Sequence, residues 1–154
     1  MNPLLIFGTL LLVGSTEAAS CPSAWVTWQD SCYLFSKDVG TWQDTEQECI
    51  SQGSHLASIH SAFENNFIFE KAHQQFSGEG KLWIGGGNFQ TSSELYAWSD
   101  QTPFDYQAWT SGEPSKHGQN GVVMIYENIG LRKGEWLSKN PDDKYPFVCK
   151  KSPS

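Results

Sequence analysis

A chain of 154 residues with a formal net charge of −7 is long enough to fold as one domain with its own hydrophobic core. Its 17 acidic side chains outnumber its 10 basic ones, and the phosphates of nucleic acids and anionic lipids repel such a chain. Length and charge therefore predict a single domain and argue against nucleic acid or anionic lipid as its partner.

The first 19 residues have the pattern of a secretory signal peptide. An apolar run from Leu4 to Val13 is shorter than the roughly 20 residues that span a bilayer, and small residues follow it at Ala18, Ala19 and Ser20. The alternative is a buried N-terminal strand or helix. Because no second long apolar run follows, we expect residues 1–19 to be removed and residues 20–154 to form a secreted, extracellular domain without a membrane span.

The four cysteines favour disulfides over a zinc site. Cys21, Cys32, Cys49 and Cys149 contain no close Cys-x-x-Cys pair, which is the spacing that zinc prefers. Three pairings are possible. One of them joins Cys21 to Cys32 across a short hairpin and Cys49 to Cys149, which would tie an early helix to the last strand.

The first half of the chain predicts a hairpin followed by two helices. Residues 24–35 place aromatic and β-branched residues on both sides of a turn. Thr41 with Asp44, and Ser61 with Glu64, have the spacing of helix-capping pairs. Helical periodicity predicts inward-facing residues on each helix, namely Trp42, Thr45 and Cys49 on the first and Phe63, Phe67 and Ile68 on the second.

The second half predicts a sheet that is interrupted by a long loop. Between Gly85 and Asn120, small and polar residues mix with large aromatic ones and show no clear period. Loops of this length are usually functional or disordered, and aromatic side chains that can bury surface favour order. The chain as a whole predicts an α+β domain, with strands at residues 81–89, 121–126, 134–139 and 145–151.

Several motifs, taken in order from Cys21 to Lys151, resemble the C-type lectin-like domain. They are Trp42 and Cys49 on the first helix, LWIGG at 82–86, AWSD at 97–100, GEP at 112–114, GEW at 134–136 and FVC at 147–149. Cys21 and Cys32 resemble the extra N-terminal pair of the long form of this domain. The resemblance implies its fold, with two helices, antiparallel sheets and a long inserted loop, and a cis peptide bond before Pro114. It also implies recognition of a ligand rather than catalysis.

The chain departs from the family at a second, inner disulfide that most members have. The two cysteines of that bridge would align with Gly121 and Pro141. Loss of both leaves no unpaired thiol in an oxidising compartment, so it is chemically consistent. We expect the long loop to be less constrained as a result.

The second departure concerns calcium. In members of the family that bind sugar through calcium, the resemblance implies a Glu-Pro-Asn loop, one further acidic residue and a Trp-Asn-Asp strand. These residues supply oxygen ligands, of which calcium needs 6–8. Here Leu137 offers no side-chain oxygen, and the other aligned positions hold one carboxylate among neutral groups. We therefore predict no metal or other cofactor at the usual sugar site. The candidate ligand-binding residues are Glu113, Ser115, Gln119, Ser138 and Tyr106. The plainer interpretation of Glu113 is a solvated loop acid.

Other chemistry-bearing side chains favour structural roles. We expect Trp98, Trp109 and Trp136 to form the core between loop and sheet rather than a sugar-stacking platform, which leaves Phe104 and Tyr106 as the better contact residues. No Gly-x-Ser-x-Gly motif supports a serine hydrolase, and Asp142–Asp143 is typical of a hydrophilic turn. No zinc spacing is formed by the four histidines His55, His60, His73 and His117.

We therefore predict a secreted recognition protein that is not an enzyme and binds a glycan or an extracellular protein through its long-loop face. The resemblance alone implies a setting in innate immunity or the extracellular matrix. The alternative is a structural or interaction protein that assembles with other chains and binds no carbohydrate. A third interpretation is an ice-binding surface, which some similar proteins have.

Overall fold

The computed structural model describes residues 18–77, 80–89, 95–127 and 133–154. Residues 1–17, which make up most of the predicted signal peptide, lie outside this part of the chain. Within it, no helix has both the length and the apolar character needed to cross a membrane.

In the described residues, eight strands form one sheet and two helices pack on it. The strands are β1 (Val26–Trp28), β2 (Ser31–Gly40), β3 (His55–Leu56), β4 (Lys81–Gly87), β5 (Ala97–Trp98), β6 (Gly121–Ile125), β7 (Trp136–Lys139) and β8 (Tyr145–Lys151), and the helices are α1 (Trp42–Ser51) and α2 (Ala62–Gln75). The sheet order is β1-β2-β8-β4-β6-β7, with β3 beside β8 and β5 beside β4, and only β4 and β8 run parallel. The α+β class is confirmed. Residues 88–120, called the long loop below, lie between β4 and β6.

The helices begin where the capping pairs predicted. The Thr41 hydroxyl oxygen accepts a hydrogen bond from the Asp44 N–H at 3.1 Å, and the Ser61 hydroxyl oxygen accepts one from the Glu64 N–H at 3.1 Å. These caps pair N–H groups that have no partner inside the first turn of a helix. The inward face of α1 is buried as predicted, at Trp42, Thr45 and Cys49.

The predicted inward face of α2 was wrong at Phe63, whose side chain is 80% exposed. The buried residues of α2 are Glu64, Asn65, Ile68, Phe69 and Ala72. Two of them are polar, and a pattern of apolar residues alone does not reveal them. Their burial is explained by the hydrogen bonds that they make to the sheet, which remove the cost of taking polar groups out of water.

Two disulfides link the elements as the predicted pairing requires. Cys21 bonds to Cys32, and Cys49 bonds to Cys149, each with 5.5 Å between the two Cα atoms. The second bridge joins α1 to β8 across 100 residues of sequence. The bond ties the helix to the middle of the sheet, and closing a loop of that length also removes conformational freedom from the unfolded chain.

The indole of Trp42 fills the place beside the missing inner disulfide. A Cβ atom at Gly121 would lie only 2.6 Å from Cδ1 of Trp42. The backbone N–H of Trp42 donates to the Pro141 carbonyl at 2.9 Å. Because Trp42 contacts both positions, packing and a backbone hydrogen bond join the segments that a bridge links in most of the family.

Candidate functional site

The aligned sugar-site residues Glu113, Ser115 and Ser138 meet where the long loop passes β7. Atom Oε2 of the half-buried Glu113 accepts hydrogen bonds from the Ser138 N–H at 3.0 Å and from the Ser115 N–H at 3.2 Å. The Ser138 hydroxyl donates a further, short hydrogen bond to the same atom. The Ser115 N–H also lies 2.8 Å from the Ser138 hydroxyl oxygen. We call these three residues the edge contact.

The edge contact forms because β7 is an edge strand of the sheet. Its outward backbone groups need partners, and the long loop supplies them. The Trp136 N–H donates to the Ala108 carbonyl at 2.7 Å, and the Trp136 carbonyl accepts from the Thr110 N–H at 3.0 Å. Two residues further along, the Ser138 N–H donates to the Glu113 carboxylate, which takes the place of a strand carbonyl. The peptide bond between Glu113 and Pro114 is cis, as the resemblance implied.

Two other aligned positions do not join the edge contact. The amide nitrogen of the exposed Gln119 donates to the Phe89 carbonyl at 3.2 Å. Leu137 packs against the apolar cluster that contains Trp42 and Trp83, on the α1 side of the sheet. Leu137 lies there because successive side chains of a strand point to opposite faces.

The aromatic residues of the long loop form a small core over Trp136. Trp98 and Trp136 are buried, as predicted, and the half-buried Trp109 packs on Trp136 with 5.7 Å between ring centroids. Phe104 packs on Trp98 at 4.6 Å, and Tyr106 packs on Trp136 at 5.7 Å. Both rings are half-buried, so each offers one side to the core and the remainder to solvent. Tyr106 therefore stays a candidate for ligand contact with only part of its ring.

A cleft of about 410 Å³ opens between α1 and the start of the long loop. Gly85 and Gly87 are among the residues that line it. The Tyr96 hydroxyl, on the wall, donates to the Ser115 carbonyl at 3.1 Å, so the cleft adjoins the edge contact. Its volume lies within the usual range for small-ligand sites. Of its aromatic lining, Trp42 and Trp98 are buried, so Phe89 and Tyr96 are the rings with exposed surface for stacking.

A second polar group, the His60 cluster, consists of Ser58, His60, Asp100, Thr102 and Asp105. Atom Nδ1 of His60 lies 2.7 Å from Oδ1 of Asp105, and its Nε2 lies 3.1 Å from the Ser58 hydroxyl and 3.2 Å from the Thr102 hydroxyl. The Ser58 hydroxyl donates to Oδ2 of Asp100, and the Thr102 hydroxyl donates to Oδ1, each at 2.5 Å. The cluster ties the middle of the long loop to the segment before α2.

Hydrogen bonds keep both carboxylates of the His60 cluster charged. Burial acts to raise the pKa of Asp100, but hydrogen bonds from Ser58 and Thr102 outweigh it and hold that pKa below its ordinary value. The hydrogen bond from His60 lowers the pKa of Asp105. Each carboxylate is therefore easier to ionise in the folded protein than in a solvated peptide.

Ser58, His60 and Asp105 have the order of a hydrolase triad but not its accessibility. Ser58 is completely buried, and its hydroxyl proton is directed to Asp100 rather than to His60. A nucleophile must reach its substrate and be activated by the base, and Ser58 does neither. The arrangement supports a structural role.

Sequence reasoning weighed His60 only as a metal ligand and missed this cluster. Thr102 and Asp105, which contact the His60 ring, lie 42 and 45 residues after it in the chain, so no local spacing predicts these contacts. Among the described residues, no group of three or more His, Cys, Asp or Glu side chains is arranged to hold a metal ion.

Behind the His60 cluster, Glu64 forms a buried ion pair. Its Oε1 accepts from the Lys150 ammonium at 2.5 Å and from the Tyr33 hydroxyl at 2.6 Å, and its Oε2 accepts from the His60 backbone N–H at 2.8 Å. Burial and the contact with Glu64 raise the pKa of Tyr33. Because Glu64 has several donors, its charge is compensated inside the protein, as a buried carboxylate requires.

The fold, with a long loop inserted before the last three strands, is that of a C-type lectin-like domain. The family model described as the lectin C-type domain matches residues 38–151. The chain belongs to the C-type lectin domain family.

Individual relatives agree with this assignment. The chain is 35% identical to ladderlectin of Oncorhynchus mykiss over 114 residues, which are 74% of this chain and only 60% of ladderlectin. It is 32% identical to a lectin of Pleurodeles waltl over 145 residues, which are 93% of this chain and 83% of that protein. A calcium-independent type II antifreeze protein of known structure matches with a TM-score of 0.76 and 26% identity, covering 90% of this chain and 99% of that one.

Proposed function

We propose that this chain is a secreted, non-catalytic recognition protein that binds a carbohydrate or protein ligand through its long-loop face without calcium at the edge contact. One observation supports this proposal above the others. Glu113, the only carboxylate at the aligned sugar site, directs one oxygen to three donors from Ser115 and Ser138. Those donors compensate the negative charge of the carboxylate, which a calcium ion would compensate in calcium-dependent members.

The remaining groups at the site are a poor ligand set for calcium. A calcium site assembles 6–8 oxygen ligands, and tight sites include several carboxylates. Leu137 has no side-chain oxygen and packs toward α1, while Gln119 is neutral and bonds to the Phe89 carbonyl. The similarity to a calcium-independent type II antifreeze protein supports the idea that this fold can function without calcium.

The ligand would bind across the edge contact and the neighbouring cleft. Ser115 links the two, because its N–H bonds Glu113 and its carbonyl accepts from Tyr96. Aromatic walls and neutral hydrogen-bonding groups suit a sugar ring, which stacks its apolar face and bonds through its hydroxyls. The lectin relatives favour a carbohydrate over a protein ligand.

A glycan array probed first with calcium and then with a chelator tests this proposal. We expect the same sugars to be bound in both conditions. Binding that disappears with the chelator would contradict calcium independence. If the array shows no binding in either condition, the recognition partner is not a glycan, and the alternative of an interaction protein that assembles with other chains takes its place.

A gain of calcium binding tests the alignment of the site. We expect the combined variant Ser115→Asn, Gln119→Glu, Leu137→Asn and Ser138→Asp to acquire calcium affinity that calorimetry can measure, because it restores oxygen ligands and charge. The unmodified chain is the control and should give no heat at this site. If the variant folds and still gives no heat of binding, the alignment of these residues is wrong.

Ice binding is a second candidate, favoured by the similarity to antifreeze proteins of known structure. It needs no sugar and no calcium at the edge contact. Thermal hysteresis of the purified chain decides it: a gap between the melting and freezing points would support ice binding, and coincident points would exclude it.

A further inference from the structure

The hydrogen bonds of the His60 cluster determine how many protons its ring carries. An ionised carboxylate only accepts, so Nδ1 of His60 must donate to Asp105. The Ser58 and Thr102 hydroxyls each have one proton, and both protons are directed to Asp100. These hydroxyls can then only accept from the ring, so Nε2 of His60 must donate as well. A ring that donates from both nitrogens is an imidazolium.

We propose that His60 is a positively charged clasp whose protonation fixes the middle of the long loop, and that the loop loosens when the ring loses its second proton. A neutral ring that keeps Nδ1–H leaves Nε2 as an acceptor. Ser58 or Thr102 must then turn its hydroxyl proton from Asp100 to Nε2. Asp100 loses one of its hydrogen bonds, and Asp105 loses its cationic partner.

The charged groups around the ring favour the imidazolium on balance. Asp105 contacts it directly, Asp100 acts through the two hydroxyls, and Glu64 accepts from the His60 backbone N–H. The one cation that the structure places near the cluster in the described residues is Lys150, whose ammonium donates to Glu64 at 2.5 Å and to the Ser58 carbonyl at 3.1 Å. Three carboxylates against one ammonium leave a net negative environment for the ring.

The clasp acts on a part of the long loop that is packed into its core. Between the two residues that bond to His60, Phe104 lies against Trp98 at 4.6 Å and Trp136 at 6.2 Å. Weakening the contacts of His60 with Thr102 and Asp105 would loosen the chain on both sides of Phe104. A change of protonation at His60 would therefore appear in the aromatic core and not only at the surface.

Nuclear magnetic resonance of the histidine ring nitrogens, followed from about pH 5 to about pH 9, tests the proposal on the intact chain. We expect both ring nitrogens of His60 to carry a proton at about pH 7, because both of them donate hydrogen bonds in the structure. The amide resonance of Thr102 should move with the midpoint of the ring titration, because its N–H bonds Asp100. A His60 ring with an unprotonated Nε2 throughout this range would overturn the proposal.

Matched variants distinguish an effect of His60 protonation from a general loss of folded structure. Asp105→Asn removes the direct charge and should lower the midpoint of the His60 titration, because the imidazolium loses its nearest carboxylate. Asp142→Asn makes the same chemical change at an exposed turn and should leave that midpoint unchanged. In His60→Gln the Thr102 resonance should show no step over this range. An unmoved midpoint in Asp105→Asn, or a step that persists in His60→Gln, would contradict the clasp.

Discussion

At its C-terminal end the long loop is held to β7 through Glu113, and near its middle it is held to the segment before α2 through His60. At the edge contact, one carboxylate accepts from backbone N–H groups and a hydroxyl. At the His60 cluster, one carboxylate contacts the histidine ring and the other accepts from two hydroxyls. At both places hydrogen-bond donors of the protein contact the carboxylates, but only the second contains a histidine ring.

The comparison assigns different sensitivities to the two places. The edge contact should respond to the loss of a donor or of its one carboxylate. The His60 cluster should respond to acid, since its carboxylates gain protons there. The proposed clasp predicts a response of that cluster to base as well. Four perturbations, from the largest expected effect to the smallest, separate these behaviours.

Trp136→Ala should weaken both places at once. Trp136 is completely buried, its indole N–H donates to Asn65 at 2.8 Å, and its backbone pairs with the long loop. Truncating a buried tryptophan costs about 3–5 kcal/mol. Chemical denaturation should show this loss of unfolding free energy. Phe63→Ala removes an exposed aromatic ring and is the control, expected to change stability by about 0.5 kcal/mol or less. Equal losses in the two variants would contradict the burial described for Trp136.

Glu113→Gln should weaken the edge contact alone. The change removes the charge that strengthens three hydrogen bonds, and hydrogen bonds to charged groups contribute about 1.5–3 kcal/mol. Denaturation should show a loss in that range, while the His60 ring titration stays unchanged. Glu135→Gln makes the same chemical change at the residue that precedes Trp136 in the sequence, and it is the matched control. A shifted His60 titration in Glu113→Gln would show that the two places are coupled.

Acid should weaken the His60 cluster. Asp100 and Asp105 have a lower pKa in the folded chain than the ordinary value of 3.8. A carboxyl of this kind contributes stability that is complete above its unfolded pKa and is lost as pH falls through the folded one. The free energy of unfolding should therefore fall as pH is lowered from about 5. Asp100→Asn should reduce this slope, whereas a slope identical to that of the unmodified chain would contradict the assignment.

Gln119→Ala should change little. Gln119 is exposed and makes one hydrogen bond, to the Phe89 carbonyl. Exposed substitutions of this kind usually change stability by about 0.5 kcal/mol or less. Thermal unfolding should detect no larger effect. A larger loss would mean that Gln119 takes part in holding the long loop.

Local sequence signals predicted the framework. Thr41 and Ser61 begin their helices where the capping pairs placed them, and Cys49 faces inward to reach Cys149. These predictions succeed because caps and periodicity depend on residues a few positions apart. The prediction for α2 fails at Phe63 because Glu64 is buried through partners in distant strands, which periodicity does not register.

Part of the arrangement at the edge contact could be predicted from the sequence, while the role of its residues in ligand binding stays a prediction. The alignment identified Glu113, Ser115 and Ser138, and these residues do meet. It did not predict that the carboxylate would complete the edge of β7, because that depends on where the loop passes the strand. The His60 cluster had no signal in the sequence, since its members come together only through folding.

A calcium titration followed by nuclear magnetic resonance tests the central claim most directly. The claim is that Glu113 is compensated by Ser115 and Ser138 and leaves no calcium site beside β7. Extracellular calcium modules bind in the range of about 10⁻⁴–10⁻³ M, so about 10 mM calcium is a sufficient test. The account predicts that the amide resonances of Ser115 and Ser138 do not move. A saturable shift at these two residues would contradict it.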